Sequence, residues 1–287
     1  MIGIIGGSGL YRMEGLKIYN EEKIKTPFGD PSDLYLKGEL EGRDVVFLPR
    51  HGRGHTLLPT EINFRANIYG FKVMGVDRVV SVSAVGSMKE HLKPTHVVVP
   101  DQFIDRTRHR ADTFFGNGIA AHVSLAHPVC PELHRLAYEG AHKAGATAHK
   151  DGTYLCMEGP QFSTRAESFL YRSWGVDVIG MTNLQEARLC REAELCYATL
   201  ALVCDYDCWH EEEADVTTTA ILEVLTLNAR LSQQILKEIV KTLPDKASCG
   251  CQTVLDSAVI TNFKHVPAKT LNALEPILRN FRKRRNL

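Results

Sequence analysis

Short runs of β-branched and other apolar residues dictate the architecture: Ile2 to Ile5, Val45 to Leu48, Val79 to Val82, His96 to Val99, Val176 to Ile179 and Tyr197 to Cys204. A strand with one face in water alternates apolar and polar residues, whereas most of these runs are apolar throughout, the pattern of strands covered on both faces. The stretches between them supply the cover. Leu133, Leu136, Ala137, Ala141 and Ala144 keep helical spacing, as do Ala166, Phe169, Leu170 and Ser173 more weakly. A longer pattern from about Thr218 to Leu243 puts Leu225, Leu231, Ile235, Leu236 and Ile239 on one side and meets Pro244 at its stop. A last helix carries Leu271, Leu274, Ile277, Leu278 and Phe281 and ends in Arg282-Lys283-Arg284-Arg285, a basic cluster suited to a helix C-terminus. The reading is an α/β sandwich forming a single domain over residues 1–287, with C-terminal helices from about residue 218.

Charge narrows the partners. Formal net charge is +0, so no broad cationic field exists to hold a nucleic-acid backbone or an anionic membrane, and a small molecule fits better. Met1-Ile-Gly-Ile-Ile-Gly-Gly lacks the regions of a secretory signal, and no apolar run reaches spanning length, which predicts a cytosolic protein. The chain has eight cysteines, read mostly as buried thiols. Cys249-Gly-Cys251 is the exception, because it follows a loop-like Pro-Asp-Lys-Ala-Ser stretch where a thiol pair is open to oxidation or metals.

Several strand exits carry groups that suit an oxyanion. Gly6-Gly7-Ser8-Gly9 follows the first strand, where a tight turn brings backbone N–H groups and the Ser8 hydroxyl close to an anion. Arg12 stands where a dinucleotide fingerprint starting from Gly7 would need its third glycine, and the Walker Gly-Lys-Ser/Thr is missing. Leu48-Pro49-Arg50-His51-Gly52-Arg53-Gly54-His55 adds forked guanidinium donors in a glycine-rich loop. His51 and His55 have the spacing of helical metal ligands, but Gly52, Gly54 and Pro59 argue against a helix, so no metal is assigned. Ser83-Ala84-Val85-Gly86-Ser87 closes a third strand with hydroxyls at the C-terminal edge, where open α/β sheets gather ligands.

Further along, Met157-Glu158-Gly159-Pro160-Gln161-Phe162-Ser163-Thr164 leads from a strand into a helix. Either Ser163 or Thr164 can be its N-cap, the latter completing a capping box with Glu167. Phe162 offers an aromatic plate to a planar base. Gly180-Met181-Thr182-Asn183 is another strand exit. Asp205 and Asp207 have alternate spacing, so they face one ligand if the strand persists, or they cap the segment that follows.

Taken in order, Gly6-Gly7-Ser8-Gly9-Leu10, Thr26-Pro27-Phe28-Gly29, Arg50-His51-Gly52-Arg53, Met157-Glu158-Gly159-Pro160-Gln161-Phe162, Gly180-Met181-Thr182-Asn183 and Asp205-Tyr206-Asp207-Cys208-Trp209 resemble the trimeric purine nucleoside phosphorylases, in their 5'-methylthioadenosine branch. The resemblance implies a three-layer α/β subunit with a central mixed sheet, a homotrimer, and phosphate as co-substrate with no metal or organic cofactor. It implies phosphate ligands at Ser8, Arg50, His51, Ser83, Ala84 and Thr182. Met181 would lie against the ribose, and Phe162, Ser163, Asp205 and Asp207 would surround the base. His122 would reach the 5' end of the nucleoside from a neighbouring subunit, and the 5' substituent would meet Thr217 or Thr218. Asp205 is the expected proton donor to the leaving base, with burial beside Asp207 raising its pKa. Paired aspartates favour a 6-amino over a 6-oxo purine, against a rival inosine, guanosine or methylthioinosine phosphorylase. A hydrolytic nucleosidase would not need so many phosphate ligands, and a redox or metal-binding protein would rest on Cys249 and Cys251. Cys-x-Cys tails of this kind are similar to those of thermophile relatives.

Overall fold

The computed structural model describes residues 1–7, 10, 14–210 and 218–287, without the side chains of residues 218–222. Its strands are β1 (Ile2–Gly6), β2 (Lys17–Glu22), β3 (Tyr35–Leu40), β4 (Arg43–Pro49), β5 (Arg78–Ser87), β6 (Val97–Val99), β7 (Gln102–Arg106), β8 (Ala148–Lys150), β9 (Thr153–Met157), β10 (Val178–Gly180) and β11 (Cys196–Asp205). Helices α1 (Phe64–Val73), α2 (Pro131–Lys143), α3 (Arg165–Ser173), α4 (Asn183–Glu192), α5 (Thr218–Thr242), α6 (Ala268–Ala273) and α7 (Glu275–Arg285) complete the regular elements.

All the strands join one mixed sheet in the order β2-β3-β4-β1-β5-β10-β9-β7, with β11 pairing β5 and β6, and β8 pairing β6. The ten-residue β5 is the branch point, pairing parallel with β1 at Arg78–Ser81 and with β11 at Arg78–Gly86, and antiparallel with β10 at Gly86–Ser87. Successive residues of the central strands feed opposite layers, as a period of two requires. Ile4, Val45 and Val80 pack with Leu133, Ala137, Ile235, Leu236 and Ile239 of α2 and α5. Their neighbours Ile5, Val46 and Val79 pack instead with Phe64, Ile68 and Phe71 of α1, Ala187 and Cys190 of α4, and Ile277 and Leu278 of α7. The result is helix, sheet, helix, which explains why the central runs are apolar throughout.

Glycine sets the closeness of one layer. A Cβ at Gly140 would lie 2.9 Å from Ile239 Cγ1, so only a glycine lets α2 and α5 approach as they do. Pro131 opens α2, where a missing N–H costs no bond, and the Cys130 sulfur accepts from the Leu133 amide at 3.5 Å.

The sequence expectation differs from the structure in the outer strands. β2 is exposed along most of its length, and β3 and β7 carry charged residues, so none shows an uninterrupted apolar run. The expected last helix is two, α6 and α7, divided at Leu274 ahead of Pro276, because a proline amide cannot donate into a preceding turn.

Candidate active site

Topology gathers the loops. β4, β1, β5 and β11 run parallel, with Gly6 opposite Pro49, Ile5 opposite Ser81, and Ala201 opposite Ser83. The exits Gly6-Gly7 and Arg50-His51 and the end of β11 at Asp205 therefore gather along the C-terminal half of β5, which holds Ser83 and Ala84. β10 enters antiparallel to β5, Ile179 opposite Gly86, which brings Thr182 and Asn183 back beside Ser83. The Ser83 hydroxyl donates to Asn183 Oδ1 at 2.7 Å. Ala84 is the one exposed residue of an otherwise covered strand, opening the edge at that point.

Arg50 is not the exposed fork that its glycine-rich loop suggests. It is 3% exposed, with Nε 2.6 Å from Glu186 Oε1, Nη2 3.2 Å from Oε2 and 2.5 Å from the Ser81 hydroxyl, and Nη1 3.0 Å from the Val82 carbonyl. Those bonds take four of a guanidinium's five N–H donors. One Nη1 hydrogen remains for an anion. Burial disfavours the charge on Arg50, but Glu186 outweighs it and holds the guanidinium more firmly charged than usual. The polar network continues beneath the edge. Tyr197 donates to Glu186 at 2.9 Å, and Asn183 Nδ2, with two hydrogens to share, lies 2.9, 2.9 and 2.7 Å from the hydroxyls of Ser81, Tyr197 and Thr199. A fully partnered buried network fixes its members rigidly, and here it fixes Ser83, Thr182 and Arg50 in one place.

His51 Nδ1 lies 2.8 Å from the Leu57 carbonyl, and its ring stacks on His55 with centroids 4.2 Å apart. Burial and the charge of Arg50 lower its pKa to about 4, so the ring is neutral near pH 7. Donation from Nδ1–H to Leu57 leaves Nε2 as an acceptor, suited to a protonated oxyanion such as hydrogen phosphate. Arg53 turns away, its Nη2 2.7 Å from Glu21 and its amide 2.6 Å from Asp33.

The carboxylate pair forms by a route other than strand alternation. β11 ends at Asp205 with a register irregularity after Val203, and Asp207 opens a 3-10 turn with φ 52°. Asp205 Oδ1 accepts the Asp207 amide at 2.8 Å, so the expected local cap is present alongside the convergence. Gly86 backs both residues: a Cβ there would lie 2.9 Å from Asp205 Oδ1 and 3.4 Å from Asp207 Cβ. Burial pushes the Asp207 carboxyl above the usual aspartate range, although Ser168 donates to it at 2.6 Å.

Beside the pair, Gly159 has φ 70°, and a Cβ on it would sit 2.6 Å from Met181 Sδ, so glycine is required both for the turn and for Met181. Ser163 Oγ lies 3.5 Å from Met157 Sδ, and Cys208 Sγ lies 3.3 Å from the Ser163 carbonyl. Thr164, not Ser163, caps α3, with Glu167 completing the box. That leaves Ser163 free of a capping role, and Phe162 before it is 79% exposed.

A positioning residue lies outside the sequence motifs. Arg110, 1% exposed in its side chain, donates to the carbonyls of Met181 and Glu158, the latter at 2.6 Å, to Gln185 at 3.0 Å and to the Glu158 carboxylate at 3.2 Å. It stitches the end of β9 to the end of β10. Burial would raise the Glu158 pKa, but Thr60, the Arg108 amide and Arg110 lower it to about 2. Nothing in the local pattern around Arg110 signals this role, because its partners lie 46 to 75 residues away. Asn183 stands in the quoted strand-exit motif, but its role and that of Glu186 are not legible there, since Asn-Leu-Gln-Glu-Ala-Arg looks solvated while these first turns of α4 are buried.

Ser8 and Thr217 lie outside the described residues, as does the side chain of Thr218 at the start of α5. His122 is exposed; its amide donates to Ala258, and its segment pairs with Val259 rather than with the strand-end loops.

Strand-end loops carrying Arg50, His51, Ser83 and Thr182 beside a carboxylate pair fit an α/β protein of nucleoside phosphorylase type. Residues 1–241 match the family described as the phosphorylase superfamily. The chain is 57% identical over 277 residues to S-methyl-5'-thioadenosine phosphorylase of Koribacter versatilis, covering 96% of this chain and 95% of that one. Its structure resembles the crystal structure of methylthioadenosine phosphorylase from an antarctic soil metagenomic library, with TM-score 0.93, 48% identity, and coverage of 96% and 98%. A variant of adenosine/methylthioadenosine phosphorylase from Schistosoma mansoni, in complex with methylthioadenosine, matches at TM-score 0.80 and 33% identity, covering 86% and 92%. The chain belongs to the phosphorylase superfamily, and within it to the S-methyl-5'-thioadenosine phosphorylases.

Proposed function

We infer that this chain splits 5'-methylthioadenosine with inorganic phosphate, yielding adenine and 5-methylthioribose 1-phosphate. The observation that carries the reading is the convergence of Arg50-His51, Ser83-Ala84 and Thr182 with Asp205 and Asp207 on one sheet edge. Breaking the bond from C1' to N9 puts positive charge on the sugar and negative charge on the base, and catalysis gains most by stabilising both. Phosphate, held by Ser8, Arg50, His51, Ser83, Ala84 and Thr182, lies under the developing cation and forms the new bond to C1'. Met181 meets the ribose, and Phe162 and Ser163 border the base.

The electron pair of the broken bond passes to adenine, which takes a proton at N7. Asp205 is the proposed donor, and Asp207 accepts from the 6-amino group. The protons of two carboxyls on one base edge belong to the pair, and burial raises the pKa of Asp207 above the usual aspartate range. A 6-oxo purine presents an acceptor at this edge and is a poor substrate. The 5' substituent meets Thr218, with His122 supplied by a neighbouring subunit of a homotrimer. Exposure of Phe162, Phe169, Leu170 and Trp174 along and beside α3 supports such an interface. Among the described residues no helix is long and apolar enough to cross a membrane, in keeping with the proposed cytoplasmic location.

Adenine release from methylthioadenosine and adenosine, and hypoxanthine release from inosine, each with and without phosphate, tests the reading. Phosphate-dependent cleavage is expected, fastest for methylthioadenosine. Preference for inosine overturns the aspartate argument, and cleavage independent of phosphate overturns the phosphorylase reading.

A further inference from the structure

Distant in sequence, Cys130, Cys196, Cys249 and Cys251 place all four sulfurs within 4.8 Å of one another. They come from three elements: the cap of α2, the first residue of β11, and the turn that starts the segment after α5. Three are buried, and Cys249 is half-buried, leaving one side from which an ion can enter. We propose that these cysteines form a structural zinc site that pins the C-terminal segment to the sheet.

Tetrahedral zinc takes thiolates at about 2.3 Å, which places the sulfurs about 3.8 Å apart. The Cys196 and Cys249 sulfurs are 3.3 Å apart and every pair lies within 4.8 Å, so closure around an ion needs adjustments of about 1 Å. Two separate disulfides require only pairwise approach, whereas here the sulfurs meet mutually. The surroundings also suit negative sulfur. Arg191 Nη1 lies 3.6 Å from Cys251 Sγ, and the Leu133 amide at the N-terminus of α2 points at Cys130 Sγ from 3.5 Å. A four-thiolate zinc centre carries two net negative charges, which a guanidinium and a helix N-terminus offset; a neutral disulfide calls for neither. Binding replaces each S–H with an S–Zn bond and releases the proton to solvent.

The loop is braced for this task. The Ser248 amide and hydroxyl donate to Glu132 in the first turn of α2 at 3.1 and 2.9 Å, which fixes the approach to Cys249. β11 spans ten residues from Cys196 to Asp205, so the cluster lies about 30 Å from the carboxylate pair. That separation gives the ion a structural role.

Intact protein purified without chelator, under a phosphine reductant, is analysed for metal by mass spectrometry and for thiols by a mercurial reagent. The expected result is about one zinc per chain, released as the mercurial consumes the four clustered thiols. Cys249→Ser and Cys251→Ser are expected to lose zinc and to melt lower, while nucleoside cleavage at low temperature persists. A parallel sample alkylated at lysis and weighed intact detects disulfides. Chains without zinc whose eight thiols all titrate overturn the proposal. Chains that miss two alkyl groups per bridge, each bridge also two hydrogens lighter than free thiols, overturn it in favour of disulfides, and zinc retained undiminished in both variants overturns the assignment to these residues.

Discussion

Replacing Asp207 by Asn separates base recognition from the rest of the reaction. The substitution fits the fold, since asparagine tolerates the φ of 52° at this position. Ser168 donates to Asp207 Oδ2 at 2.6 Å, and in the variant that hydroxyl selects the amide oxygen, turning the NH2 group toward the base. A hydrogen bond from the 6-amino group to an ionised carboxylate contributes about 1.5–3 kcal/mol, and the variant places donor against donor. Methylthioinosine gains about as much, because its 6-oxo group then meets a donor. The ratio of kcat/KM for methylthioadenosine over methylthioinosine is expected to fall by about 3–6 kcal/mol, or roughly 10²–10⁴-fold. Ultraviolet assays of both substrates at saturating phosphate, with an unchanged melting temperature as the control for folding, read this directly. A ratio that moves less than about tenfold in a folded variant refutes the role given to Asp207.

Asp205→Asn should lower kcat on methylthioadenosine by about 10²–10⁴ with little change in KM, as loss of a general acid does; a change confined to KM contradicts the donor role. Glu186→Gln leaves the Arg50 charge without its carboxylate partner, so stability should drop by about 3 kcal/mol and the KM for phosphate should rise; unchanged phosphate kinetics would separate Arg50 from phosphate binding. Glu192 is 6% exposed, and burial raises its pKa to about 7 from an ordinary 4.5. Its stabilising contribution is therefore complete below pH 4.5 and is lost as pH rises through about 7. Relative to Glu192→Gln, the parent should lose about 3 kcal/mol across that window in denaturant titrations, and a pH-independent difference would contradict the raised pKa.

The central layers were legible because both periods are plain in the sequence. Ile4 and Ile5 fill opposite cores, and an unbroken apolar run says that both faces are covered. Edge strands such as β2 carry no such mark, since one side faces water and the pairing comes from β3. At the site, the loop motifs were legible while their wiring was not. Arg50 announces an anion, but its burial against Glu186 depends on α4, whose polar first turns read as surface. Asp205 and Asp207 come together through a 3-10 turn and Gly86 rather than by alternation along a strand, which the spacing alone does not show. The cysteine cluster was half visible as Cys249-Gly-Cys251, and only the tertiary fold adds Cys130 and Cys196.

Attack on the sugar by phosphate itself leaves a direct record in phosphorus-31 NMR of the running reaction. With methylthioadenosine and inorganic phosphate, the phosphate signal should decline as a sugar 1-phosphate signal grows in equal amount to the adenine released. Adenine appearing while the phosphate signal stays constant would mean hydrolysis and would contradict the account.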